Sequence, residues 1–352
     1  MTTYDSRGAG SLRRLAGEGR RGVRLRTSRL GGVAREGLRF RPSQGVMAIL
    51  ALVAASVIWG SSFVATKPML GSVSPLSVAT LRFAIAVAVL WPLVLRTGRR
   101  PALGRLPALM GFLGVFLAYT CQNVGLAHTS ATNAALIQGG IPVLIALLAV
   151  ALLGERLTAP ILTGIGLSLA GVAAVVLGGG GGELGIAALG DGLVLVSGLA
   201  MAAYLVVGRR VYATRDPLSV VAGVAFYGLL FLLPASAVEL ALGGVMRPDA
   251  GDLLGLLYLG AGASGVGFLL WAYGLRHLEA GRAAVFANLT PLVGVTLAVL
   301  ILGEPLSSTH ILGSVLILGG VWIAARPTAP APVAGTPTHQ QRIATLVPSE
   351  SV

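Results

Sequence analysis

The chain has 352 residues, 55% of them hydrophobic and 11% charged, where a soluble domain carries about a quarter charged residues. That excludes an ordinary water-soluble enzyme, because apolar runs recur too often to leave a water-facing surface between them. Basic residues outnumber acidic ones 26 to 13, but eleven arginines crowd into the first 46 positions, so the excess is not the spread basic face of a nucleic-acid-binding fold.

Residues 1–46 are rich in Gly and Arg and poor in large apolar side chains, and read as a disordered cytoplasmic tail. Met47 opens an apolar run abruptly, so translation could start there and the tail be an artefact of the gene model. The rival readings are a flexible arm that touches anionic lipid and, with less support, one that binds nucleic acid. Ten runs of about 20 apolar residues follow, the length that crosses ~30 Å of hydrocarbon. They cover 47–68, 75–95, 107–127, 131–153, 160–178, 191–211, 218–240, 251–275, 281–303 and 309–325. A Gly-rich linker, 179–190, separates two sets of five, and 327–352 reads as a second disordered cytoplasmic tail. The fold class is therefore an all-α membrane protein. The first span is too long for the apolar core of a signal peptide, and Trp59-Gly60-Ser61-Ser62 offers no convincing cleavage site, so it should remain.

With the amino terminus inside, 23 of the 26 basic residues fall in the tails or in loops on the same face. The positive-inside rule then places both termini in the cytoplasm and the chain in the cell inner (plasma) membrane. Cys121 is the only cysteine, and His128, His277, His310 and His339 stand far apart without ligand-spaced neighbours. No disulfide framework, metal centre or other cofactor is expected.

Polar side chains inside spans are the functional candidates, because hydrocarbon makes them costly. In the first span Trp59, Ser62, Phe63, Thr66 and Lys67 share one helical face and suit a cavity wall, with helix packing as the alternative. Arg82 in the second span and Lys67 enter from the same side, so the two cations could hold a substrate carboxylate or phosphate; snorkelling of Lys67 and capping by Arg82 are the bland readings. The third span offers Tyr119, Gln122 and Asn123. The fourth offers Asn133, Gln138 and Pro142, and the ninth Asn288 and Pro291 on matching ground; the prolines predict a shared kink. Tyr204 and Trp271 add aromatic surface, while Gly260, Gly262, Ser264 and Gly267 suit close packing. Glu155 and Glu304 each follow a Gly that ends a helix, and are expected to serve the amides of the helix that comes next. No Asp or Glu falls mid-span, so proton coupling has no obvious carrier.

The two sets of spans are copies. At a fixed offset of 149, Gly125-Leu126 aligns with Gly274-Leu275, His128 with His277, Pro142 with Pro291, Gly154-Glu155 with Gly303-Glu304 and Gly171-Val172 with Gly320-Val321. Five spans is an odd number, so the second copy enters the membrane from the opposite face and the two five-helix repeats, 47–178 and 191–326, are inverted. Inverted repeats are a recurrent transporter architecture with the site near the bilayer midplane.

Trp59-Gly60-Ser61-Ser62-Phe63 with Lys67, Pro75 with Arg82, and the duplicated Pro to Gly-Glu-x-Leu helix together resemble the EamA family of the drug/metabolite transporter superfamily. The resemblance covers about 48–326 and implies ten helices around a central cavity and export of small metabolites or drugs. Alternating access around that cavity is the expected mechanism, a lipid flippase the main alternative and a membrane-embedded enzyme a weaker one. The expected partners are a small-molecule substrate and membrane lipid, with a homodimer left open and nucleic acid not expected.

Overall fold

A chain this apolar can satisfy its backbone in hydrocarbon only by pairing each segment internally. The computed structural model describes residues 44–153, 159–178, 185–277 and 286–324, and among them it is helical, with no β-strand beyond an isolated bridge between Val73 and Met246. In chain order α1 is Gln44–Met69, α2 is Pro75–Arg96 and α3 is Arg105–His128. A broken span follows as α4, Ala131–Gly139, and α5, Ile141–Leu153, and then α6, Ala159–Gly178. The second half holds α7, Ile186–Thr214, and α8, Pro217–Ala241. It continues with α9, which joins Ala250–Leu257, Tyr258–Gly267 and Phe268–His277, then α10, Leu289–Leu302, and α11, Ser308–Ala324.

Eight stretches are long and apolar enough to cross a bilayer, and Leu289–Leu302 and Ser308–Ile323 are shorter apolar helices. The eight overlap the first eight expected runs and the two shorter helices overlap the ninth and tenth, so among the described residues eight helices, not ten, have membrane-crossing length. The expected ninth span begins among residues outside the described set, as do Glu155, most of both tails and residues 179–184 of the linker. Helix α1 starts at Gln44, ahead of Met47, and α7 starts at Ile186, ahead of the expected 191. In the second case the apolar residues Ile186 to Leu189 extend the helix into what read as linker.

Local chemistry sets the helix ends. Pro75 and Pro217 occupy first turns, where a missing N–H costs nothing. The Asp216 carboxylate accepts from the Ser219 amide, and Asp249 and Asp252 form a reciprocal capping box at the start of α9. Gly303, with φ of 66°, closes α10 in the left-handed conformation that glycine adopts without strain. In the interior, α3 and α9 each carry a π-helical stretch, Phe112–Leu117 and Tyr258–Gly267.

Packing runs across the two halves. Helix α1 lies against α9 and α10, and α7 lies against α3 and the α4–α5 pair; α2 packs on α8, and α6 on α11. The last pair crosses through small residues. A Cβ on Gly171 would sit 2.8 Å from the Gly313 carbonyl oxygen, and one on Gly320 would sit 2.6 Å from that of Gly164. Between these contacts the Ser168 hydroxyl donates to the Ile317 carbonyl at 3.2 Å. Glycine at the crossing lets two backbones approach without side chains between them, which replaces the hydrophobic drive that lipid does not supply. The exposed surface carries Leu189, Leu242, Leu254 and Leu300, side chains that acyl chains can solvate.

Gly171→Leu and Gly320→Leu should each destabilise the protein by about 1–3 kcal/mol or more through overpacking. Thermal unfolding in detergent should fall for both. An unchanged midpoint in either would contradict the close crossing.

Candidate functional site

The aromatic residues of the two halves meet where α1 crosses α9. Trp59 donates its indole N–H to the Ala263 carbonyl at 3.1 Å, inside the π-helical stretch of α9. Its ring meets Phe268 edge-on and Trp271 at a tilt, both with centroids 5.2 Å apart. Gly267 leaves room for it, since a Cβ there would lie 2.8 Å from Trp59 Nε1. Tyr204 on α7 lies against the π-helical stretch of α3: a Cβ on Gly114 would lie 2.5 Å from its ring. Its hydroxyl shares a 2.7 Å hydrogen bond with that of Tyr212. π-helical turns recur at functional sites because they redirect backbone carbonyls, and neither stretch announces itself in the hydropathy pattern.

Arg82 is the charge in this region. It is 2% exposed, and no carboxylate lies within ion-pair distance among the described residues. Nε donates to Ser264 Oγ at 2.6 Å and Nη2 to Tyr119 Oη at 3.3 Å. The guanidinium lies over the Tyr119 ring, 4.4 Å from its centroid, and 5.9 Å from that of Phe83. A guanidinium has five N–H donors, and these two bonds engage only part of the set. Ser264 and Phe83 also wall a gap with Tyr204, Val224 and Phe268, in which the free volume is about 10 Å³, roughly one water molecule. In this conformation the gap is closed to anything larger.

The other candidates disperse. Lys67 Nζ donates to the Leu126 and Thr129 carbonyls at 2.7 and 2.6 Å, where it neutralises the carboxyl end of α3. The two cations therefore engage different partners. Ser62 and Thr66 hydroxyls return to carbonyls of α1 itself, and Phe63 is buried in an apolar cluster with Leu126, Ala135 and Ile317. Gln138 donates to Gln122 at 3.3 Å and to Ser197 at 3.0 Å, a polar patch between α3, α4 and α7. Asn123 donates to the Pro75 carbonyl at 3.0 Å, and its Oδ1, like that of Asn288, is buried without a partner among the described residues. The fourth span breaks at Gly140, just ahead of Pro142 in α5, and Asn288 sits in a turn just ahead of Pro291 in α10.

Glu304 acts on a helix end, but not the one expected. Its carboxylate accepts the Ala131 and Thr132 amides, both at 2.8 Å, and so caps α4 instead of the helix that follows it. Glu239 does the same for α2 through the Leu76 and Ser77 amides at 3.0 Å. Two further corrections concern residues given little weight in the sequence. Ser264 holds the Arg82 guanidinium besides filling a small-residue crossing. Asp191, read at a span boundary, lies inside α7 and is 1% exposed, joined to Thr129 and Asn133.

A helical bundle of apolar spans, with aromatic groups from separate helices and a buried arginine gathered at the crossing of its halves, has the build of a polytopic membrane transporter. The EamA-like transporter family matches residues 46–177 and again 188–326, and the chain belongs to that family, within the drug/metabolite transporter superfamily. It is 29% identical to the uncharacterised transporter YetK of Bacillus subtilis over 78% of this chain and 86% of that protein. It is also 29% identical to a probable amino-acid metabolite efflux pump of Escherichia coli, over 79% of this chain and 93% of the pump. A solved crystal structure, 24% identical, has the same fold with a TM-score of 0.57 over 79% of this chain and 97% of that one.

Glu304→Ala removes two charge-assisted bonds at the amino terminus of α4. The loss should be about 1–2 kcal/mol, read as a lower thermal midpoint in detergent, with Glu304→Gln in between. A midpoint equal to wild type for Glu304→Ala would show that the cap is dispensable.

Proposed function

We propose that the protein exports small organic molecules across the inner membrane by alternating access between two inverted five-helix repeats. The observation that carries this is the crossing of α6 and α11. Gly171 meets Gly313 and Gly320 meets Gly164, and these contacts interchange when the offset of 149 is applied to one partner and removed from the other. Ser168 and Ile317, bonded between them, differ by that same offset. Contacts that map onto each other in this way are what a two-fold axis between antiparallel helices produces. The pairing of α1 with α9 and of α7 with α3 supports the same symmetry. Ten spans with both termini in the cytoplasm belong to this proposal and are supported by the distribution of basic residues.

In such a protein the axis passes between the halves, and the substrate site lies where α1, α2, α3 and α9 converge. Trp59, Trp271 and Phe268 offer apolar faces for an organic side chain. Arg82, steadied by Tyr119 and Ser264 and without a carboxylate partner among the described residues, is the anchor for an anionic group such as a carboxylate. Export, as opposed to uptake, is suggested by the naming of the Escherichia coli relative as an efflux pump. The gap beside Ser264, with room for about one water, must widen to admit substrate.

Extracellular metabolite profiles of overexpressing and deletion cells test this. Overexpression should raise one or more small carboxylates outside the cell. Arg82→Gln, at equal abundance, should lower apparent affinity about 10- to 150-fold, the worth of ~1.5–3 kcal/mol for a hydrogen bond to a charged group. Identical profiles in both strains would contradict export, and an unaffected Arg82→Gln would remove the anchor role.

A further inference from the structure

One end of the bundle carries a basic surface that the aromatic site does not use. The loop between α2 and α3 docks there on the start of α8. The Ala102 amide donates to the Ser219 carbonyl at 2.8 Å, and the Gly104 amide to Tyr227 Oη at 3.1 Å. Gly223 makes the fit possible, because a Cβ on it would collide with the Ala102 carbonyl. Residues 96–105 and 215–219, which meet at this seam, hold Arg96, Arg99, Arg100, Arg105 and Arg215 against one acid, Asp216. All these arginines are exposed.

Two of them have work within the fold. Arg96 lies in the last turn of α2, where a cation suits the negative end of the helix. Arg99 pairs with Asp216 at 2.8 Å, and that carboxylate also caps α8 through the Ser219 amide. Among the described residues, Arg100, Arg105 and Arg215 have no acid within ion-pair distance. Arg105 opens α3, whose first turn holds no acid, so it adds positive charge to a helix end that is already positive. A count of basic residues orients a membrane chain, but it gives no reason to place one where it opposes a helix.

The opposite end of the bundle shows that the docking itself does not need arginine. There the loop between α8 and α9 docks on the loop between α1 and α2. The Ser74 amide donates to the Val245 carbonyl at 2.8 Å, and the Arg247 amide to the Ser72 carbonyl at 2.9 Å. Residues 70–76 and 239–252 hold Glu239, Asp249 and Asp252 with one arginine, Arg247. Those acids are committed to the starts of α2 and α9. Two seams of one kind therefore differ in the charge they carry, and only the first gathers cations.

A cluster of like charges repels itself unless an anion is shared among its members. The surroundings specify which anion. Leu93, Leu95, Leu103, Leu106 and Leu109 are exposed near the arginines. Trp91, whose indole donates to the Ala222 carbonyl at 3.2 Å, stands one turn inside them, at the depth where aromatic rings meet lipid headgroups. Guanidinium groups at the end of the bundle and leucines along its side match a phosphate with acyl chains attached.

We propose that this seam binds an anionic phospholipid, its phosphate shared among Arg100, Arg105 and Arg215 and its acyl chains laid against the exposed leucines. Arg100 and Arg105 belong to the first half of the chain and Arg215 to the second, so the lipid bridges the halves. The site stands apart from the transport reading, and only its assignment to the cytoplasmic leaflet rests on the topology proposed above.

Native mass spectrometry of the full chain in detergent, titrated with phosphatidylglycerol or with phosphatidylcholine of the same acyl chains, tests this without any substrate. Wild type should bind phosphatidylglycerol in preference. An arginine beside an anionic headgroup is worth about 5-fold in affinity, so Arg100→Gln, Arg105→Gln and Arg215→Gln combined should lose roughly 100-fold. Arg247→Gln, at the other end, should match wild type. Equal binding of the two lipids, or an unchanged affinity in the triple variant, overturns the proposal. Glycerophosphoglycerol, the same headgroup without acyl chains, should bind far more weakly; equal binding would make the site one for soluble phosphates and overturn the lipid. If the triple variant is not monodisperse on size exclusion, the three single variants decide, and wild-type affinity in all of them overturns it.

Discussion

Hydrocarbon offers no hydrogen bonds, and this constraint decides where nearly every polar side chain of the protein ends up. The amide groups that open α2 and α4 are met by Glu239 and Glu304, the carbonyls that close α3 by Lys67, and a carbonyl of the π-helical stretch in α9 by the Trp59 indole. In each case the donor or acceptor comes from a segment distant in sequence. The polar residues therefore fasten helix ends to one another, and what fastens a bundle also sets which ends can separate.

Most side chains that look like site residues in a membrane sequence are consumed by this fastening. Ser62 and Thr66 turn back to their own helix, and Asn123 caps nothing but the Pro75 carbonyl. Arg82 is the exception. Two neutral hydroxyls and the face of Tyr119 hold it, with no neutralising acid among the described residues, an arrangement that stabilises a buried cation only in part and leaves it receptive to an anion. Its environment separates it from Lys67, which is held by the Leu126 and Thr129 carbonyls.

Much of this was legible in the sequence for definite reasons. Hydropathy marks a span wherever apolar residues run long enough, and a gapless offset exposes a duplication even when most residues have changed. Trp59, Trp271, Tyr119 and Arg82 could be nominated because aromatic and charged groups inside spans are rare. The recipient of Glu304 could not be read, because α4 lies 173 residues away in sequence and the nearer candidate was the helix that follows. Asp191 was obscured by the Gly-rich run before it, which made the helix seem to start at the acid itself. The π-helical stretches leave no mark, since a shift from four to five residues per hydrogen bond changes the backbone without changing composition.

The paired contacts of α6 and α11 underlie the proposal that the two halves exchange roles around a shared site. Spin-label distance measurements in nanodiscs address that exchange directly. With Cys121 replaced, one label pair would bridge Gly71 and Leu306 at the face assigned as external, and another Thr97 and Arg215 at the face assigned as cytoplasmic. Alternating access predicts two distance populations at each face that shift in opposite directions when conditions favour one state. A single unchanging distance at both faces would contradict it.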